Sequence, residues 1–378
     1  MTPECLASQR CGRRRDRSLG ARWGTAAALV VLLVPAAVGA CTTVLLQHQG
    51  EVAVAKSYDF YVGHGLIIVN PRGLAKHAMA SASDRQLATW VSRFGNITFN
   101  QYGRELPASG MNEAGLVVEV MWLDETRYQQ PDERPVVPDL QWIQYQLDNF
   151  ATVAEVVEHA GDVRVNSATA RVHYLVCDRT AACAAVEFLD GQMVLTTGSA
   201  MPVRTLTNST YAASLASLKQ HVGFGGTKPI PEGTGSIERF VRASALAARV
   251  ASEDRGEPGL TDDAFSVLES VSQGPGSVWN LVHDPVRREI HYRTHANPRV
   301  KRITLSRIDF SCVAGPRALD IDAERWGDVT ASLLPYTLAM NWSIVRRSFA
   351  RHFAPVPAGA VEYVARFAEG FRCADPVK

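Results

Sequence analysis

The feature that most constrains this chain is Cys41, which stands where a leader ends. Before it, Arg10, Arg13, Arg14, Arg15, Arg17 and Arg22 precede an apolar run from Thr25 to Val38, and small residues follow in Val38-Gly39-Ala40. A basic segment, a short apolar core and small residues before a break form the pattern of a secretory signal peptide. Pro35 interrupts the run, which falls short of the roughly 20 apolar residues that span a bilayer, so no stable membrane span is expected. Cleavage after Ala40 makes residues 1–40 a signal peptide and 41–378 an exported, periplasmic or secreted chain whose first residue is cysteine. The same Val-Gly-Ala-Cys junction also has the form of a lipobox, in which the cysteine is acylated and anchors a binding lipoprotein. The junction alone leaves both readings open.

A cysteine at position one carries two reactive groups, a sulfur nucleophile and an α-amine whose ordinary pKa of about 8 lets it act as a base near neutrality. Such a residue needs no separate catalytic histidine. It needs an acceptor to orient the amine, a cation to favour the thiolate, and amide donors for a tetrahedral intermediate. Thr42-Thr43-Val44-Leu45-Leu46 and Val52-Ala53-Val54-Ala55, separated by His48-Gln49-Gly50, read as an opening hairpin. Its second strand runs into Lys56-Ser57-Tyr58-Asp59, which brings a cation and a carboxylate one strand away from Cys41.

Charge and cysteine usage narrow the class further. The leader takes six of 39 basic and two of 38 acidic residues, leaving 33 and 36 and a net charge of −3. Nucleic acid and anionic membrane surfaces gain nothing from that balance. Of seven cysteines, Cys41, Cys177, Cys183, Cys312 and Cys373 remain, and export favours pairing. Cys177 and Cys183 flank a turn between strands 171–176 and 184–188, and Cys312 with Cys373 can staple the C-terminal tail. Cys41 is then the odd thiol.

Further strands are expected at 66–70, 97–100, 116–122, 193–197, 278–283, 289–293 and 303–306. Helices are expected at 141–149, 153–160 behind a Thr152/Glu155 capping box, 239–251, and 262–271 with Thr261 as N-cap. Strands first, helices grouped, then strands again indicate an α+β layered sandwich in one domain rather than a parallel βαβ sheet. The Gly- and Pro-rich stretch 223–235 reads as a loop lining the site.

Several runs then occur in a specific order: Cys41-Thr42-Thr43, Lys56-Ser57-Tyr58-Asp59-Phe60, Asn70-Pro71-Arg72-Gly73, Gly110-Met111-Asn112-Glu113-Ala114-Gly115-Leu116, Leu206-Thr207-Asn208 and Glu238-Arg239-Phe240-Val241-Arg242. This series resembles the choloylglycine hydrolase family, the N-terminal-nucleophile (Ntn) amidases that include penicillin V acylases and bile salt hydrolases. The resemblance implies a four-layer αββα sandwich and cleavage of a linear amide C–N bond in a small N-acyl substrate. It implies Cys41 as nucleophile and base, Asp59 as the carboxylate that orients its amine, Asn208 as an oxyanion donor and Arg239 as electrostatic support. Trp122, ten residues past Asn112, matches the second oxyanion donor through its backbone N–H. Tyr58, Phe60 and Trp122 are the implied substrate contacts, and relatives often form homo-oligomers.

Two departures stand out. Lys56 occupies a position where the family carries Arg, keeping the charge and losing the planar fork. Trp122 replaces Asn or Tyr and fills more of the pocket. Asn112 reads best as a turn residue. An acyltransferase using the same thioester is the rival within this chemistry.

No cofactor is implied. Ten histidines include no His-Glu-x-x-His pattern. His291 and His295 lie on a segment read as strand, where that spacing is roughly 13 Å and too long for one metal. Gly223 to Lys228 lacks the spacing of a phosphate loop, and no Gly-x-Ser-x-Gly elbow is present.

Overall fold

The computed structural model describes residues 40–79, 86–166, 170–252, 259–353, 355–356 and 358–374. The expected signal peptide, apart from Ala40, lies outside the described residues.

The opening hairpin forms as expected, Thr42–His48 against Glu51–Asp59, with Thr42 opposite Ser57 and Thr43 opposite Lys56. Alternation of side chains along a strand sorts them onto two faces. Val44, Leu46, Ala53 and Ala55 enter one apolar cluster with Ala243, Val250, Phe265 and Leu268, whereas Cys41, Leu45, Val52, Val54 and Tyr58 enter another. The hairpin strands are second and third in a seven-stranded sheet, with the short edge strand Thr205–Leu206 on one side and Ser277–Asp284, Glu289–Thr294 and Lys301–Thr304 on the other. Helices Ser236–Ser252 and Leu260–Ser270 cover its outer face.

A nine-stranded sheet packs on the inner face. Its middle runs Cys183–Leu189, Val172–Cys177, Val117–Trp122, Pro107–Asn112, Asn96–Asn100, Leu66–Asn70. Helix Asp139–Asn149 packs on the strands Pro107–Asn112 and Val117–Trp122 from outside. Helix, sheet, sheet, helix is the layer order, as expected. The helices Leu338–His352 and Ala360–Arg366 also bury Ile344, Val345, Phe349 and Val364 against Leu66 and Ile68 of the second sheet.

Cys177–Cys183 and Cys312–Cys373 are bonded, and Cys41 is a free, buried thiol. Helix Leu260–Ser270 starts one residue before the expected cap, so Gly259 takes that place and Thr261 sits inside the first turn. The strand expected at 303–306 is Lys301–Thr304, followed by a 3₁₀ turn.

Pro107–Asn112 carries no strand signal, since Pro, Gly and Asn are all poor strand formers. Its place is decided by packing: a Cβ on Gly110 would come within 2.7 Å of Leu147 and 2.8 Å of the Ile97 carbonyl, so only glycine lets the helix close on the sheet. Asn112 is a turn residue as expected. Its amide donates to the Leu147 and Phe150 carbonyls, and its Oδ1 accepts from Ala114 and Leu116. Gly115 completes the turn at φ +93°.

Candidate active site

Cys41 directly precedes the first strand and is 3% exposed. Burial pushes its thiol up to about 11, with Lys56 opposing the rise. Burial therefore disfavours the thiolate at neutral pH. A nucleophile in this position needs a base beside it.

Asp59 ends the neighbouring strand. Its Oδ1 accepts from Ser57 Oγ and Ser277 Oγ, each at 2.6 Å. Its Oδ2 is buried and has no hydrogen-bond partner among the described residues. Burial raises the carboxyl pKa, against the hydroxyls and the charges of Arg239 and Lys56. A buried carboxylate oxygen without a donor is costly, and a positively charged N–H group would remove the cost. The antiparallel register places residue 41 beside this strand end.

Arg239, in the first turns of helix Ser236–Ser252 and 1% exposed, gathers the site. Nη1 donates to the Cys41 carbonyl at 2.7 Å and to Thr42 Oγ1, Nη2 donates to Asn208 Oδ1 at 2.9 Å, and Nε donates to the Thr234 carbonyl at 3.0 Å. Guanidinium only donates, so Asn208 must turn its oxygen to Arg239 and its NH₂ away. That NH₂ donates to the Trp122 carbonyl at 2.9 Å. Burial lowers the Arg239 pKa, and Asp59 and Cys41 oppose that.

Leu123 N–H bonds the Arg171 carbonyl, so the alternating pattern of an antiparallel pair turns the Trp122 N–H to the opposite edge, where its carbonyl meets Asn208. The Trp122 N–H and the Asn208 amide thus lie along the same edge of this strand.

Lys56 is the cation that opposes the rise in the Cys41 pKa, and it also has partners of its own. It is fully buried, and Nζ donates to the Ala108 carbonyl (2.8 Å) and the Val120 carbonyl (2.7 Å) while pairing with Glu119 Oε2 at 3.0 Å. Glu119 is itself held by Ser109 Oγ at 2.7 Å and His283 Nε2 at 2.9 Å. Burial pushes the Glu119 carboxyl up, but Lys56, His283 and Ser109 outweigh it and hold it below the usual range. Two hydrogen bonds and one ion pair tie Lys56 to the second sheet, and its influence on Cys41 is through space.

Tyr58, Phe60 and Trp122 line one apolar cavity of about 320 Å³ with Cys41, together with Leu106, Ala108, Val120 and Leu140. The Trp122 indole donates to Asp124 at 2.7 Å. The 223–235 loop lines no part of that cavity. It supplies the Thr234 carbonyl that braces Arg239 from behind. Asn70, Arg72 and Glu113 also stand apart from the cavity. Arg72 pairs with Glu113 at 2.8 Å, and Asn70 bonds Asn96 and Thr98.

Sequence reasoning passed over Ser57 and Ser277, which anchor Asp59, and Glu119 and His283, which hold Lys56. Ser57 had a signal, since i and i+2 on a strand share a face with Asp59. Ser277 had none. No group of three metal-ligating side chains occurs among the described residues, and no described helix is long and apolar enough to cross a membrane.

Residues 41–312 match the family of linear amide C–N hydrolases known as the choloylglycine hydrolase family. The chain is similar to penicillin V acylase of Pectobacterium atrosepticum, 28% identical over 268 residues that make up 61% of this chain and 71% of that protein. The structure of penicillin V acylase from Agrobacterium tumefaciens superposes with a TM-score of 0.69 at 28% identity, covering 79% of this chain and 98% of that one. A variant of the conjugated bile acid hydrolase of Clostridium perfringens has the same fold, with a TM-score of 0.64 at 18% identity over 76% of this chain and 98% of that one. The chain therefore belongs to the choloylglycine hydrolase family, has its Ntn-hydrolase fold, and is an enzyme that hydrolyses linear amide C–N bonds.

Proposed function

We propose that the mature protein is exported, begins at Cys41, and cleaves N-acyl amides bearing an apolar acyl group. The observation that carries this reading is the Asp59 carboxylate. One oxygen is fixed by two serines, and the other is buried, without a donor, beside the position where cleavage would create an ammonium. Two disulfides support an oxidising destination. A thiol 3% exposed in a cavity of about 320 Å³ also speaks against a lipid anchor, whose chains must leave the protein.

In this mechanism the Cys41 amine, oriented by Asp59, takes the thiol proton as sulfur attacks the amide carbonyl carbon. The carbonyl oxygen becomes an oxyanion facing the Trp122 N–H and the Asn208 amide. Collapse breaks the C–N bond, the Cys41 ammonium returns the proton to the leaving amine, and an acyl-thioester remains. Water, deprotonated by the same amine, attacks the thioester carbonyl; collapse breaks the C–S bond, the ammonium returns the proton to the Cys41 sulfur, and the carboxylic acid is released. Arg239 holds Cys41 and Asn208 in register throughout.

The test is intact mass followed by turnover. A mass for residues 41–378 less four disulfide hydrogens, with hydrolysis of phenoxyacetyl or straight-chain N-acyl amides that is lost in Cys41→Ala, is expected. A lipid adduct on Cys41, or turnover retained in Cys41→Ala, refutes the reading. Transfer of the acyl group to an added amine in preference to water would make the enzyme an acyltransferase.

A further inference from the structure

The cavity at Cys41 has lining of two origins. Tyr58, Leu106, Trp122 and Leu140 come from the family region 41–312. Phe349, His352, Phe353 and Val364 come from the C-terminal arm beyond it, made of helices Leu338–His352 and Ala360–Arg366.

The arm is built into place. Asn341, fully buried, accepts from the Arg104 N–H at 2.8 Å and donates to the Ala365 carbonyl at 2.9 Å. Ser348 Oγ donates to the Gln101 carbonyl, and Gln101 Oε1 in turn accepts from Tyr58 OH at 2.9 Å, which links the arm to a residue of the cavity. His352 Nδ1 meets the hydroxyls of Tyr61 and Tyr102, the latter at 3.1 Å. The far end is bonded covalently, Cys373 to Cys312, the last residue of the family region. Three of the four arm residues at the cavity are apolar, so most of this wall offers surface for burial, with His352 its polar member.

We propose that this C-terminal arm selects the acyl group, with Phe349, Phe353 and Val364 limiting the room available to an uncharged arylalkyl or medium-length alkyl chain. The proposal rests on the amidase reading for the identity of the ligand. A dry cavity of about 150 Å³ holds one benzene ring, so one of about 320 Å³ admits a ring with a short linker or an alkyl chain of comparable bulk. Extra length toward the arm must displace it, and extra polarity there meets mostly apolar side chains.

The experiment uses the exported full chain as wild type, Phe353→Ala, Phe353→Trp and Phe349→Ala. Each is assayed against a homologous series of straight-chain N-acyl anilides. The melting temperature of each is also measured with the corresponding free carboxylic acids, a readout that needs no turnover. Phe353 is only half-buried at the end of its helix, so both changes there spare the core. Phe353→Ala and Phe349→Ala are expected to move the preferred acyl length upward, gaining about fourfold in relative kcat/KM for each methylene newly accommodated. Phe353→Trp should move it downward. An acyl-length preference identical in all four proteins overturns the proposal, whatever their overall rates. If no anilide is hydrolysed but the acids still stabilise with a length optimum that follows residue 353, the arm's role stands and the amidase reading falls. If neither hydrolysis nor stabilisation occurs, both fall.

Discussion

Asp59→Asn separates the chemistry from the fold at one atom. Asparagine keeps the shape, and its Oδ1 can still accept from Ser57 and Ser277, but the group replacing the unpartnered oxygen is a neutral NH₂ that cannot accept from an ammonium. A hydrogen bond to a charged group is worth about 1.5–3 kcal/mol, so kcat/KM should fall between about tenfold and over a hundredfold. Stability should move the other way before processing. Burial raises the Asp59 pKa above 3.8, so the folded chain binds that proton more tightly than the unfolded one. Stability is therefore lost as pH rises from the unfolded value through the folded one. In a leader-bearing chain at neutral pH the buried charge is a cost that Asp59→Asn removes, and its melting temperature should hold or rise. In the mature chain the new ammonium offsets that cost, and the same change should lower it. Intact mass establishes the N-terminus, thermal melts at pH 7 give stability, and amide hydrolysis gives kcat/KM. A mature Asp59→Asn enzyme with wild-type kcat/KM would refute the reasoning.

The thiol supplies a second expectation: with its pKa at about 11, Cys41 in a leader-bearing chain should react slowly with iodoacetamide at pH 7, and removal of the leader should speed alkylation at least about tenfold by furnishing a base. Equal rates would remove the amine from the mechanism. Lys56→Met should cost about 3–5 kcal/mol in denaturant unfolding, because it leaves Glu119 buried without its cation; a loss under about 1 kcal/mol would show that the pair is not structural. The depressed Glu119 pKa has its own signature. Its contribution is complete above the ordinary glutamate value of about 4.3 and is lost as pH falls through the lower folded value, so wild type should soften in acid more than Lys56→Met does. Cys312→Ser with Cys373→Ser opens a loop of 61 residues' separation and should cost about 4 kcal/mol, read as a lower denaturant midpoint.

The sequence by itself determined the features that depend on local chemistry and order. Alternating apolar runs in the hairpin specify two buried faces, and that pattern is visible without coordinates. The Cys177 and Cys183 spacing around a turn, the helices opening near Asp139, Val153 and Ser236, and the role of Asn112 as a turn residue are equally local. The ordered motifs from Cys41 to Arg239 identified the family, and with it the αββα fold. Tertiary structure decided what depends on the partners a group finds at long separation. The charge of Lys56 beside Cys41 is legible locally, but its bonds to the carbonyls at 108 and 120 and its pairing with the carboxylate at 119 are reported by no local pattern. Ser277 reaches Asp59 only because strand pairing closes a gap of 218 residues. Pro107–Asn112 becomes a strand against its propensity because neighbours on both edges and a helix above fix it. The C-terminal arm meets the Cys41 cavity for the same reason: burial of Ile344, Val345 and Val364 against the second sheet, more than 250 residues from the nucleophile, is a property of the packed chain and of no segment within it.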